Sequence, residues 1–159
     1  MNLFLVFISI TIGTTVGVLL NKRSGNKAKY FREVVGLCDS LERNLMFRRD
    51  KLQQALTETN VEQKLLNKHI EQFCQFLTSG GDKLVLEKGC LKDSELTNVQ
   101  KFFLSLGGGD SATEHNILAS YKEEFGQLKS KYKESHDRLG GAYTKLGFLA
   151  GLALGILLI

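Results

Sequence analysis

Residues 3–20 read LFLVFISITIGTTVGVLL, a stretch without a charged residue that decides how the rest of the chain must fold. As a helix, its 18 residues span roughly 27 Å, close to the thickness of a bilayer's hydrocarbon core. No Lys or Arg precedes the stretch and no small-x-small site follows it, which argues against a cleaved signal peptide. Asn21-Lys22-Arg23 is typical of a stop-transfer flank. The sequence therefore predicts an N-terminal transmembrane helix over residues 1–21.

A second uncharged stretch, LGFLAGLALGILLI, covers residues 146–159. Alone it spans only about 21 Å, which is short for a bilayer. Lys145 can extend its ammonium group to the interface, and the uncharged residues 140–144 can prolong the helix. The large apolar residues of the stretch point all round a helix, which disfavours a one-sided core helix of a soluble domain. The sequence therefore predicts a C-terminal transmembrane helix over residues 145–159.

Charge is confined to the middle of the chain, because every Lys, Arg, Asp and Glu lies between Lys22 and Lys145. Basic residues stand close to both apolar stretches; the predicted membrane-flanking set is Lys22, Arg23, Lys27, Lys29 and Lys145. The positive-inside rule then places residues 22–144 in the cytoplasm and both termini across the membrane. The net charge of +4 is modest, and the basic residues that contribute to it stand beside the apolar stretches, where membrane topology requires them. Lipid is therefore an expected partner and nucleic acid is not.

Glycines recur every four residues in both apolar stretches: Gly13 and Gly17 in the first, and Gly147, Gly151 and Gly155 in the second. Such spacing lets two helix backbones approach closely in lipid. The two helices can pack on each other, or on another subunit in a homo-oligomer. Glycine is also common in membrane helices that have no such contact, so three interpretations stay open at this point.

The middle of the chain is expected to be all-α, since it lacks Pro and is rich in Leu, Lys, Glu and Gln. Apolar residues at steps of three and four predict the following helices: 29–57 with a bend at Arg48–Lys51, 61–77, a third from residue 93 or 94 that stops at Gly107, and a last one from Ser111. Residues 83–89 are ambiguous, and a short helix is favoured because no partner strand is evident. Ser111 and Glu114 fit a capping box.

The expected fold class is all-α, an antiparallel helical bundle in the cytoplasm between N-terminal and C-terminal transmembrane helices. The apolar residues of the last helix also form a heptad seam, which a coiled-coil partner would explain as well.

Residues that carry catalysis or bind metals do not cluster in this sequence. His69, His115 and His136 lack a metal-ligand spacing and are expected on helix surfaces. Three widely spaced cysteines are expected to be free thiols, packed as small apolar residues: Cys38, Cys74 and Cys90. No Gly-Lys-Ser/Thr follows Gly107-Gly108-Gly109, so that run predicts a helix-ending turn. We expect no enzyme, no metal and no cofactor.

Three blocks of sequence carry a family resemblance. The first contains Leu41-Glu42, Leu45, Phe47, Leu52 and Ala55-Leu56; the second is Leu106-Gly107-x-x-Asp110; the third contains Tyr143 and Leu146-Gly147-Phe148-Leu149-Ala150-Gly151. In this order and spacing they resemble the stage III sporulation protein AB family over essentially the whole chain. Asp50-Lys51 stands where that family usually has Thr-Pro.

The resemblance implies a non-enzymatic assembly or scaffold component of the secretion-like channel complex that links mother cell and forespore during endospore formation. The family's soluble region is similar to the cytoplasmic domain of type II secretion platform proteins. The implied location is the outer forespore membrane, facing the mother-cell cytoplasm. The implied partners are a secretion-type ATPase and the other membrane components of the complex. The rival hypothesis is a small autonomous, holin-like pore-former, but the apolar stretches carry only hydroxyls as polar side chains.

Overall fold

The computed structural model describes residues 2–43 and 49–157, and all regular structure in them is helical. The helices are α1 (Asn2–Arg43), α2 (Arg49–Glu58), α3 (Lys64–Ser79), α4 (Asp93–Ser105) and α5 (Ser111–Leu157). No strand occurs within these described ranges. The predicted all-α class is confirmed and is consistent with a helical bundle.

The chain forms two compact units. The terminal unit comprises Met1–Ala28 and Ser130–Ile159, and the central unit comprises Lys29–Lys129. Both α1 and α5 are long enough to contribute to each unit. The predicted division into residues 1–21, 22–144 and 145–159 refers to the bilayer, which this grouping does not test, and it stays a prediction.

An aromatic cluster joins four helices in the core of the central unit. The ring of Phe31 in α1 stacks on Phe125 in α5 at 5.9 Å, and Phe125 meets Phe102 in α4 edge-on at 5.5 Å. Phe102 and Phe103 lie 5.3 Å apart, and Phe103 contacts Phe73 in α3 at 5.1 Å. All five rings are at most 1% exposed. Because each aromatic pair adds about 0.5–1.5 kcal/mol beyond area burial, this cluster holds the four helices together.

Where a helix over 29–57 with a bend or turn at Arg48–Lys51 was predicted, the structure describes two helices, α1 and α2, and Arg49 to Lys51 belong to α2. Arg48 lies outside the described residues. Lys51 is exposed whereas Leu52 and Leu56 are buried, so α2 packs its leucines inward.

Residues 83–89 form no helix, which corrects the favoured prediction. Leu84 and Leu86 are buried while Val85 between them is 68% exposed, the two-residue alternation of extended backbone. Side chains of neighbouring helices, and not a partner strand, make hydrogen bonds to the backbone of this segment. Gln72 accepts from the backbone N–H of Glu87 at 3.1 Å, and Gln100 donates to the carbonyl of Leu84 at 3.3 Å.

Candidate functional site

Glycines bring α1 and α5 into backbone contact in the terminal unit. A Cβ atom added at Gly151 would lie 2.6 Å from the carbonyl oxygen of Ser9 and 2.8 Å from the Cα of Ile10. One added at Gly13 would collide with the carbonyl oxygen of Gly147, and that contact is mutual. Only glycine fits where backbone atoms meet this closely.

The remaining two predicted packing glycines lie along the same line of contact. A Cβ at Gly155 would lie 2.9 Å from a methyl carbon of Val6, and a Cβ at Gly147 would lie 3.6 Å from the Cα of Gly17. Of the arrangements that the sequence left open, the structure therefore shows the two segments of one chain packed on each other.

The hydroxyl groups of residues 3–20 all donate hydrogen bonds within the terminal unit. Ser9 Oγ donates to the carbonyl of Gly151 at 2.6 Å, which ties α1 to α5. Thr14 Oγ1 donates to the carbonyl of Ile10 at 2.8 Å, and Thr15 Oγ1 to that of Thr11 at 2.7 Å, both one turn back in the same helix. These bonds leave little polar character on the outside of the helix pair.

Large apolar side chains face outward from the terminal unit. The exposed set includes Phe4, Phe7, Ile12, Val16, Leu19, Leu20, Leu146, Phe148, Leu149, Leu154, Ile156 and Leu157. Phe4 and Phe7 are each 71% exposed. Across residues 2–43 and 49–157, no helix reaches the combination of length and apolar character that crossing a membrane requires. The two predicted transmembrane helices are therefore not confirmed and stay a prediction.

The predicted membrane-flanking basic residues divide into two kinds. Lys22, Arg23, Lys29 and Lys145 are exposed. Lys27 is only 3% exposed; its Nζ donates to the hydroxyl of Tyr132 at 3.2 Å and lies 4.7 Å from the centre of that ring. A cation over an aromatic face is attracted by the ring quadrupole. Lys27 thus joins α1 to α5 inside the terminal unit.

The first two family blocks meet in the central unit. Gly107 has φ +77°, and a Cβ there would lie 3.1 Å from Cδ2 of Leu52. Leu41, Leu52, Leu56 and Leu106 are buried, and Ala55 is half-buried. Leu45, Phe47 and the side chain of Tyr143 lie outside what the structure describes. Leu146, of the third block, is 61% exposed in the terminal unit.

Asp110 of the second block caps α5. Its Oδ1 accepts from the backbone N–H of Thr113 at 3.0 Å, and Glu114 Oε1 accepts from the N–H of Gly109 at 3.4 Å. Hydrogen bonds to Thr113 lower the pKa of Asp110. Asp110, the last residue before the helix, therefore supplies the cap, while the side chain of Ser111, the residue predicted to form a capping box with Glu114, lies outside what the structure describes.

Glu42 of the first block belongs to an ionic cluster between α1 and α5. Lys122 Nζ lies 2.6 Å from Asp39 Oδ1 and 3.1 Å from Glu42 Oε2. His115 Nδ1 lies 3.3 Å from the other oxygen of Glu42. Hydrogen bonds to Asp39 and Glu42 raise the pKa of Lys122. The cluster fixes the register of the two helices in the central unit.

His69 is fully buried, so its predicted surface position is wrong. Its Nε2 lies 2.7 Å from the carbonyl oxygen of Glu87, and its Nδ1 lies 2.8 Å from the hydroxyl of Tyr30. A carbonyl can only accept, so Nε2 carries the proton and Nδ1 accepts from Tyr30. Burial lowers the pKa of His69. Sequence spacing gave no signal for this network, because Tyr30 and Glu87 are distant along the chain.

The cysteines are free thiols, as predicted, but only Cys38 is buried, whereas Cys74 and Cys90 are half-buried. Burial raises the pKa of Cys38 to about 12, which keeps it protonated. Among the described residues no three His, Cys, Asp or Glu side chains converge as a metal site would require. The candidate functional features are therefore surfaces and helix contacts.

Comparison with known proteins gives one match. The model of the family named stage III sporulation protein AB matches residues 2–159, which includes every residue that the structure describes. Searches of curated proteins and of solved structures each found no match.

Proposed function

Because the chain belongs to the stage III sporulation protein AB family, which implies a role in sporulation, we propose that it is a membrane-anchored assembly component of the secretion-like channel complex between mother cell and forespore. In this proposal the chain crosses the outer forespore membrane twice. Residues 22–144 face the mother-cell cytoplasm, where they meet a secretion-type ATPase and other components of the complex. The family match over residues 2–159 is the observation that carries the proposal.

The outer surface of the terminal unit supports anchoring in lipid. The exposed side chains of residues 4–20 and 146–157 are mostly large and apolar, and an exposed surface of this kind marks contact with a membrane or a partner. Its hydroxyls are used internally, and its glycines bind the two helix segments to each other. Apolar contact outside and backbone contact inside are what helix pairs need in a bilayer, where lipid tails are as apolar as leucine.

The central unit supports a scaffold role. It is a helical body with a continuous aromatic core, and its ionic cluster links the helices that lead to the terminal unit. We propose that such a body transmits the position or motion of an attached ATPase to the membrane, without bond chemistry of its own.

A sporulation assay with paired glycine variants tests the proposal. Gly151→Leu should reduce heat-resistant spores strongly, since any side chain at Gly151 meets the backbone of Ser9 and Ile10. Gly141→Leu is the matched control, because nothing lies within 4 Å of a Cβ at Gly141 in the same helix. A fluorescent fusion should mark the membrane around the forespore in both strains. Normal spore counts in a strain lacking the gene would contradict the sporulation role.

Dye release from liposomes separates the scaffold from the rival pore-former. Purified full-length chain at matched protein-to-lipid ratios should release no more of a small trapped dye than protein-free vesicles do. Rapid release by the chain alone would favour an autonomous pore over the proposed scaffold.

A further inference from the structure

The apolar outer surface of the terminal unit reaches a common level on its two antiparallel helices. A Cβ at Gly147 would lie 3.6 Å from the Cα of Gly17, so these two residues stand side by side. Exposed large apolar side chains extend to Leu20 on α1 and to Leu146 on α5. At 1.5 Å per residue, both lie within about 5 Å of the glycine contact along the helix axis.

Three exposed cations stand at this edge of the apolar surface: Lys22 and Arg23 on α1, and Lys145 on α5. Lys22 and Arg23 follow Leu20 by two and three residues, which is about 3–5 Å along the helix. Lys145 directly precedes Leu146. None of the three cations makes an ion pair with a residue whose side chain the structure describes. We call these three residues the basic rim.

The acidic residues of the terminal unit do not cancel the charge of the basic rim. The sequence of this unit contains only Glu134 and Asp137 as acidic residues. Glu134 Oε1 already lies 3.0 Å from Nη1 of Arg138, one turn away in the same helix. Asp137 is exposed and follows Lys133 by four residues, so α5 itself places a cation beside it. The edge therefore keeps a positive charge that the unit does not neutralise.

A bilayer with anionic headgroups has the complementary arrangement of groups. Its acyl chains meet apolar side chains, and its phosphates lie just outside the hydrocarbon, at the level of cations that border an apolar surface. The guanidinium of Arg23 can pair with two phosphate oxygens, and the lysine ammonium groups reach the headgroups on flexible stems. Nucleic acid also offers phosphates, but it has no hydrocarbon to cover the apolar surface beside the rim.

We propose that the basic rim binds the headgroups of anionic phospholipids, so that the terminal unit selects anionic over zwitterionic lipid. The inference rests on the proposed function, because it takes the apolar surface of the terminal unit to lie in the bilayer. Apolar contact alone has no preference for headgroup charge. The cations therefore add a selectivity that anchoring does not require.

Electron paramagnetic resonance of spin-labelled lipids measures this selectivity on the full-length chain in liposomes. Phosphatidylcholine liposomes hold the chain and a trace of spin-labelled phosphatidylglycerol or phosphatidylcholine, and the motionally restricted fraction of each probe reports lipid at the protein surface. At about 0.1 M salt the association constant for phosphatidylglycerol should exceed that for phosphatidylcholine about fivefold, which corresponds to about 1 kcal/mol. At about 1 M salt this ratio should fall below about twofold, because the Debye length shortens to about 3 Å.

Variants of the rim test which residues choose the lipid. Lys22→Gln with Arg23→Gln should lower the ratio at about 0.1 M salt to below about twofold. Lys22→Arg with Arg23→Lys keeps both charges and should keep the ratio of the wild type. All four substitutions replace exposed side chains, so the circular dichroism of both variants should match that of the wild type.

A control of equal charge lies in the same unit. Lys131→Gln with Lys133→Gln removes two exposed cations that flank Tyr132. The hydroxyl of Tyr132 accepts from Lys27 at 3.2 Å, so these cations are level with Lys27. That level is about 10 Å beyond Leu20 along the axis, one Debye length at about 0.1 M salt. The control variant should therefore keep most of the wild-type ratio.

The outcomes separate this inference from the proposed function. Equal association of both lipids with the wild type, or an equal loss of the ratio in the rim and control variants, would overturn the selectivity of the basic rim. Neither result bears on the sporulation role, which the strain lacking the gene decides. The absence of a motionally restricted fraction for both lipids would contradict the anchoring in the bilayer together with the inference.

Discussion

Replacing Tyr30 by phenylalanine removes one oxygen atom from the core of the central unit and leaves the ring in place. Tyr30 and His69 are both fully buried, and the Tyr30 hydroxyl is the donor to Nδ1 of His69 at 2.8 Å. The variant leaves Nδ1 as a buried acceptor without its donor. A buried polar group without a hydrogen-bond partner lowers stability by about 1–3 kcal/mol. We therefore expect the free energy of unfolding at pH 8 to fall by about 2 kcal/mol.

The pH dependence of stability follows from the same network. Burial lowers the pKa of His69 in the folded protein, so the unfolded chain binds the proton first as pH falls. Stability is therefore fully present above the unfolded pKa of about 6.5 and is lost as pH falls below it, until the folded pKa is reached. The contribution of His69 has a maximum slope of about 1.4 kcal/mol per pH unit. His69→Gln should remove this contribution.

Urea unfolding of the full-length chain in detergent, followed by circular dichroism between pH 5.5 and 8, measures both effects. Tyr121→Phe is the matched control, since it removes the same atom from a half-buried ring and should cost less than about 0.5 kcal/mol. The reasoning fails if Tyr30→Phe costs no more than Tyr121→Phe. It also fails if the wild type and His69→Gln lose stability equally between pH 7 and pH 5.5.

Three further predictions concern the glycines and the topology. Gly151→Ala should lower the free energy of unfolding in detergent by about 1–2 kcal/mol through lost helix packing, which a lower thermal midpoint would show. Gly141→Ala, with open space around it, should raise the free energy of unfolding by about 0.5–1 kcal/mol. Gly107→Ala should cost about 1–2 kcal/mol in urea unfolding, because alanine is strained at φ +77° and its Cβ meets Leu52. A reporter inserted at Asn60 should show cytoplasmic activity, and activity on the far side of the membrane would reject the predicted topology.

Helix periodicity predicted much of the central core because local spacing determines which side chains share a face. In α4 the apolar residues at helical spacing are Leu96, Val99, Phe102, Phe103 and Leu106, of which Leu96 is half-buried and the other four are buried. In α1 the residues Phe31, Val34, Cys38 and Leu41 follow the same spacing and are buried. A step of three or four residues is a property of the helix itself, so no knowledge of the partner helix is needed to find these positions.

Features that depend on distant contacts were not predictable in the same way. His69 lies on the buried side of α3, next to Ile70 and four residues before Phe73, but its hydrogen bonds reach Tyr30 and Glu87. Residues 83–89 are not helical, and side chains of α3 and α4 bond the backbone of Glu87 and Leu84 in this segment. A local sequence pattern reports only on residues that are close in sequence. In both cases the hydrogen-bond partners come from other parts of the chain.

The first two family blocks hold the helices of the central unit in position. Asp110 caps α5, Gly107 makes a turn against Leu52, and Glu42 ties α1 to α5. Because these contacts lie inside the central unit, substitutions at the three positions should act by destabilising its fold. A variant at one of them that loses heat-resistant spores should therefore also show a lower free energy of unfolding, and spore loss with unchanged stability would contradict this assignment.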